Sequence, residues 1–100
     1  MLILPIKKKW LDMIISGEKK EEYREIKPYY TARFRNYWGD PVYWNEPHRV
    51  MFRNGYSKES PAVITDCTLS IKSGNPAWGA EPGKKYYVLS VLQYIRGNEK

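Results

Sequence analysis

The chain has 100 residues, and its 42% hydrophobic and 28% charged side chains are the balance of one folded domain rather than a disordered segment. A single cysteine, Cys67, excludes an intramolecular disulfide, and with a single histidine, His48, it leaves too few ligands for a Cys/His zinc site. Seventeen basic against eleven acidic residues give a net charge of +6, spread along the chain without a polybasic tail. Such a surface favours a polyanionic partner and also serves solubility. No apolar run reaches the length of a membrane span, and MLILPIKKKW places its apolar stretch before its lysines, the reverse of a secretory signal. The expectation is a cytoplasmic protein of one domain, residues 1–100, with no metal and no cofactor.

In chain order, Leu2 to Ile6 reads as a short apolar strand. Lys8 to Ser16 reads as a two-turn helix, because Trp10, Leu11, Ile14 and Ile15 recur at helical spacing. Gly17 ends it, since glycine accepts the left-handed conformation of a helix terminus. Glu18 to Ile26 is expected to be extended, and Lys27-Pro28 breaks it. Pro28 to Asn36 suggests a second short helix with Tyr30 and Phe34 four apart, and Trp38 to Pro47 is rich in turn residues and reads as loop. Arg49 to Arg53 is a strand closed by the turn signal Asn54-Gly55. Ala62 to Ile71 alternates, with Val63, Thr65, Cys67, Leu69 and Ile71 on one face. Ser73 to Gly83 is a long loop around Trp78, and Tyr86 to Ile95 is a strand apolar on nearly both faces, hence central. The order predicts an α+β fold, mainly β: a partly closed barrel decorated by two short helices.

Local sequence and expected structure disagree in GEKKEEYRE, Gly17 to Glu25. As a strand it carries Lys20, Glu22 and Arg24 on one side and Lys19, Glu21 and Glu25 with Tyr23 on the other. A strand charged on both faces cannot be buried in the ordinary way. It lies exposed as a solvated edge, or it lines a polar cleft with Lys19 at the mouth, Glu22 and Arg24 meeting one ligand or each other. Elsewhere, nine of the fifteen aromatic residues fall between Tyr29 and Tyr56, interleaved with Arg33, Arg35, Arg49 and Arg53. Rings in that pattern fill a small core or stack on unpaired bases. Arg53, Asn54 and Tyr56, at a strand end, combine a bidentate cation, an amide and a ring suited to a phosphate and a base edge. Trp78 packs as a lid or stacks on a base. Cys67, on an apolar face, reads as a buried inert thiol, and His48, with no nucleophile near it in sequence, as a surface or hydrogen-bonding residue.

Gly17, Lys19, Glu22 and Arg24 match the GxKxxExR signature of ASCH domains, and on these residues the chain resembles that family within the PUA-like superfamily. LPIKKKWLDMIISG leads into the motif, and HRVMFRNGYS and WGAEPGKKYYVLSV look like later strands of the small ASCH proteins of bacteria and their prophages. The resemblance implies a PUA-like β-barrel with the signature residues in a cleft, and RNA binding as the activity. It also points to a hydrolytic branch acting on modified nucleosides or RNA. Its amidohydrolase members carry a threonine nucleophile at the sixth motif position, beside the motif lysine. Here the lysine is present as Lys19 but the sixth position is Glu22, a carboxylate suited to general-base work and not to nucleophilic attack as a hydroxyl is. The expected function is therefore a module binding RNA or a nucleotide-like ligand through Lys19, Glu22, Arg24, Arg53, Asn54, Tyr56 and Trp78. The alternative is a nucleoside amidohydrolase or ribonuclease with Lys19 and Glu22 as catalytic residues.

Overall fold

The structure is a computed structural model that describes residues 1–98. Five strands form one sheet in the order β1-β3-β4-β5-β2: β1 (Leu2–Pro5), β2 (Glu21–Arg24), β3 (His48–Arg53), β4 (Ala62–Ser73) and β5 (Lys85–Asn98). Two helices, α1 (Lys8–Ile15) and α2 (Pro28–Trp38), complete the fold. β1 runs parallel to β3, and the other pairings are antiparallel. The sheet curls into a half-barrel, so the fold is α+β, mainly sheet, and partly closed. Two register shifts interrupt the β4–β5 pairing, between Ile64 and Thr65 and between Asp66 and Cys67, and such irregularities increase local twist.

One face of the curl is the core. Leu4, Phe52 and Val63 lie side by side across three strands on that face, as do Leu69 and Leu89, all of them buried. α1 contributes Leu11 and Ile14, and α2 contributes Phe34 and Trp38, which spread an edge-on aromatic chain onto Tyr87 of β5. A smaller cluster on the opposite face, Ala80, Tyr86 and Val88 with Tyr23 against it, is covered by the loop after β4.

Most expected elements stand within two residues of their predicted bounds, and the departures have physical causes. α2 runs to Trp38, which the sequence placed in the loop, because the Trp38 indole is buried against Phe34 and donates to the Glu46 carbonyl. Pro28 starts that helix, where its missing N–H costs nothing. The loops hold single 3₁₀ turns at Pro41–Tyr43 and Pro76–Trp78. The β4 alternation holds through Leu69, but Ile71 is exposed, beyond the reach of β3 and the helices. β5 is buried on both faces only over Tyr86 to Leu89; Leu92 and Tyr94 are exposed where β2 no longer flanks it. β2 covers four residues rather than nine.

Candidate functional site: a buried ion triad beside a basic hollow

The end of α1 aims the signature segment. Gly17 takes a φ of +84°, a region that L side chains rarely occupy, and its N–H bonds the Ile14 carbonyl. The reversal lets the Lys19 N–H bond the Met13 carbonyl at 2.9 Å, folding the chain back over the helix terminus before β2 begins. Lys19 therefore precedes the strand, and its side is not set by strand alternation. Within β2, Glu22 is opposite Leu89 and Arg24 opposite Tyr87, so both project to the core face of the sheet.

The three charged ends meet. Glu22 Oε1 lies 3.1 Å from Lys19 Nζ, and Glu22 Oε2 accepts from Arg24 Nη2 at 2.7 Å. None of the three is solvated: the Lys19 side chain is 0% exposed, Glu22 8% and Arg24 9%. The segment is thus not a cleft open to Lys19: Lys19, Glu22 and Arg24 are buried, while Glu18, Lys20 and Glu25 stay exposed flanking this edge strand. Burial of these three is tolerated because Glu22 pairs with both cations and each cation has a backbone acceptor besides. Lys19 donates to the Trp78 carbonyl at 2.6 Å, and Arg24 donates to the Pro5 carbonyl at 2.6 Å. The Lys19 ammonium also sits 4.9 Å from the ring centres of both Trp10 and Tyr23, a cation–π enclosure. Burial pulls the Lys19 pKa below its ordinary value, with Glu22 opposing the shift. Tyr23 is held protonated by burial, chiefly, and by the Glu21 carboxylate that its hydroxyl bonds at 2.7 Å.

The triad ties together three separate parts of the chain. Through Lys19 it holds the loop carrying Trp78, where Gly79 lies so close to Trp10 that an added Cβ would come within 3.0 Å of the indole. Through Arg24 it holds the end of β1. There Asn54 adds a second tie, its amide Nδ2 donating to the Ile6 carbonyl at 2.8 Å.

Beside that β1 end lies an open hollow of about 450 Å³ lined by Lys7, Arg53, Asn54 and Tyr56 among others. The Tyr56 ring is 94% exposed. Arg53 spends its Nε on the Gly55 carbonyl at 3.1 Å, which fixes the guanidinium and leaves its outer nitrogens for a ligand. The structure thus divides the expected site residues. Lys19, Glu22 and Arg24 form one internal group; Arg53, Asn54 and Tyr56 form a surface group, joined to it through the β1 end. Trp78 serves through its backbone carbonyl, its side chain partly buried. Cys67 is buried, its thiol pushed up to about 12 by desolvation, as the inert reading expects. His48 stacks on Trp38 at 5.3 Å and contacts the Glu46 carbonyl, a packing and hydrogen-bonding role.

Sequence reasoning missed Trp10, Tyr23, Lys7 and the two backbone carbonyls. The Lys7-Lys8-Lys9 run at the end of an apolar strand was a usable signal for Lys7. Nothing in a sequence reports which carbonyl a distant cation will reach. Among the described residues no group of His, Cys, Asp and Glu could hold a metal ion, and no helix is long and apolar enough to cross a membrane. No family model matches the chain, and searches of curated proteins and of solved structures find no match either.

Proposed function

We propose that this chain is an ASCH-type member of the PUA-like superfamily that binds RNA or a nucleotide-like ligand, with the ligand seated in the Lys7–Arg53–Tyr56 hollow. The observation that carries the reading is Tyr56: a ring left almost wholly to solvent, beside two cations, at the rim of a hollow of nucleotide size. A base stacks on the ring, and Arg53 and Lys7 neutralise phosphates. The net charge of +6 favours the encounter. The signature residues act at one remove in this reading: Arg24 and Asn54 grip the carbonyls of Pro5 and Ile6 and so set the hollow's wall. The hydrolytic alternative meets a lysine wholly enclosed and a glutamate with both oxygens engaged, and for that reason we assign Lys19 and Glu22 to positioning rather than chemistry.

The test is fluorescence anisotropy with a labelled single-stranded RNA at two salt concentrations. Tyr56→Ala weakens binding by about 1–3 kcal/mol with an unchanged salt slope, the signature of a lost stack. Arg53→Ala lowers the slope by about 0.7, the signature of one lost phosphate contact on a single strand. If both variants bind as the wild type does, the hollow is not the seat. Chromatography of RNA and acylated nucleosides incubated with the wild type tests the alternative: turnover that vanishes in Glu22→Gln, with the variant still folded, replaces the binding reading with the hydrolytic one.

A further inference from the structure

The sheet has a second unusual surface, on the face turned away from the core. Strand register sets Ile3, Met51 and Ile64 side by side across β1, β3 and β4, with Arg96 of β5 completing the row. Outward positions of a half-covered sheet are ordinarily polar. Here three neighbouring strands each present an apolar side chain at the same level instead. They floor a hollow of about 480 Å³. Its remaining walls include Arg53 from the next row and Lys58 from the loop between β3 and β4. Among the described residues the lining holds three cations and no carboxylate, and neither Lys58 nor Arg96 is paired with a described acid.

An apolar floor under a ring of unneutralised positive charge has one complementary occupant: an anion with an apolar body. The volume lies within the range of small-ligand sites and holds one ring with its substituents. Two arginines and a lysine favour a head group with several acceptor oxygens over a single carboxylate, since guanidinium forks match phosphate oxygens in pairs. We infer that this outer-face hollow is a binding site for an organic phosphate monoester, its apolar body on Ile3, Met51 and Ile64 and its phosphate between Arg96, Lys58 and Arg53. The inference stands on the row of strand residues and not on RNA binding at Tyr56, although Arg53 lines both hollows.

The experiment is isothermal titration of the full chain with phenyl phosphate, inorganic phosphate and phenol, with methyl resonances of Ile3, Met51 and Ile64 followed in parallel. Phenyl phosphate is expected to bind at least about tenfold more tightly than either half alone, since burying the ring adds an apolar contribution that inorganic phosphate lacks. The methyl resonances of all three residues shift together. Lys58→Ala and Arg96→Ala, both at exposed positions, each weaken phenyl phosphate by about tenfold. The same chemistry occurs in a free small molecule and at the phosphorylated end of an RNA. Stronger competition by a 5′-phosphorylated hexanucleotide than by its 5′-hydroxyl form identifies the strand end, and equal competition by the two, or none, identifies the free compound. Equal affinity for phenyl phosphate and inorganic phosphate, methyl groups that stay unshifted, or full binding by both alanine variants overturns the inference.

Discussion

Replacing Glu22 with glutamine tests whether the buried triad holds the fold together. The carboxylate serves two cations at once, Lys19 at 3.1 Å through one oxygen and Arg24 at 2.7 Å through the other. Glutamine keeps the shape but offers one acceptor oxygen and one amide donor, so one cation is left facing a donor in a site with almost no water access. Removing one partner of a buried pair costs about 3–5 kcal/mol, against a total stability of roughly 5–15 kcal/mol for a domain. With a urea m-value of about 1–3 kcal/mol/M, the unfolding midpoint falls by at least about 1 M. Tryptophan fluorescence and far-ultraviolet dichroism follow the transition. A second arm separates charge from packing. Burial already lowers the Lys19 pKa, and in the variant its chief electrostatic support is gone. A lysine whose folded pKa lies below its unfolded value binds fewer protons when folded, so stability rises with pH through that folded value. The deficit of Glu22→Gln therefore shrinks as pH rises from 7 towards the ordinary lysine range, and adding Lys19→Met recovers part of it at pH 7. A deficit under about 1 kcal/mol, or one that does not change with pH, would refute the reasoning.

Alkaline stability also reports on Cys67. The buried thiol holds its proton to about 12 when folded and loses it near 9 when unfolded, so stability falls as pH rises between those values. Cys67→Ala flattens that decline by up to about 1.4 kcal/mol per pH unit, measured by urea unfolding at pH 8 and 10; parallel curves for the two proteins rule the thiol out. Gly74→Ala places a Cβ 2.6 Å from the Tyr23 ring and from Ala80, and is expected to cost about 1–3 kcal/mol of stability by chemical denaturation. Gly17→Ala, strained at its φ of +84° with open space around it, costs about 1 kcal/mol by the same measurement, and a neutral result would mean that the turn relaxes.

The order and kind of nearly every element are legible in the chain alone, because local physics suffices there. Trp10, Leu11 and Ile14 mark a helix by their spacing, Gly17 ends it by its backbone freedom, and Val63 to Leu69 mark a strand by alternation. The chain alone also singles out Lys19, Glu22 and Arg24 as a conflict, since no ordinary strand carries charge on both faces. How that conflict is resolved depends on contacts between distant parts of the chain. Lys19 escapes strand alternation through the turn at Gly17, so it joins Glu22 rather than opposing it, and the acceptors that make burial tolerable are backbone oxygens of Trp78 and Pro5, 59 and 19 residues away in the chain. The Ile3–Met51–Ile64 row is hidden from sequence for the same reason. Each residue is an unremarkable apolar position in its own strand, and they become one surface only through the register of three strands drawn from opposite halves of the chain. Periodicity is a property of neighbours along the chain, whereas ion pairing and surface patches depend on neighbours in space, and those are set when the sheet closes.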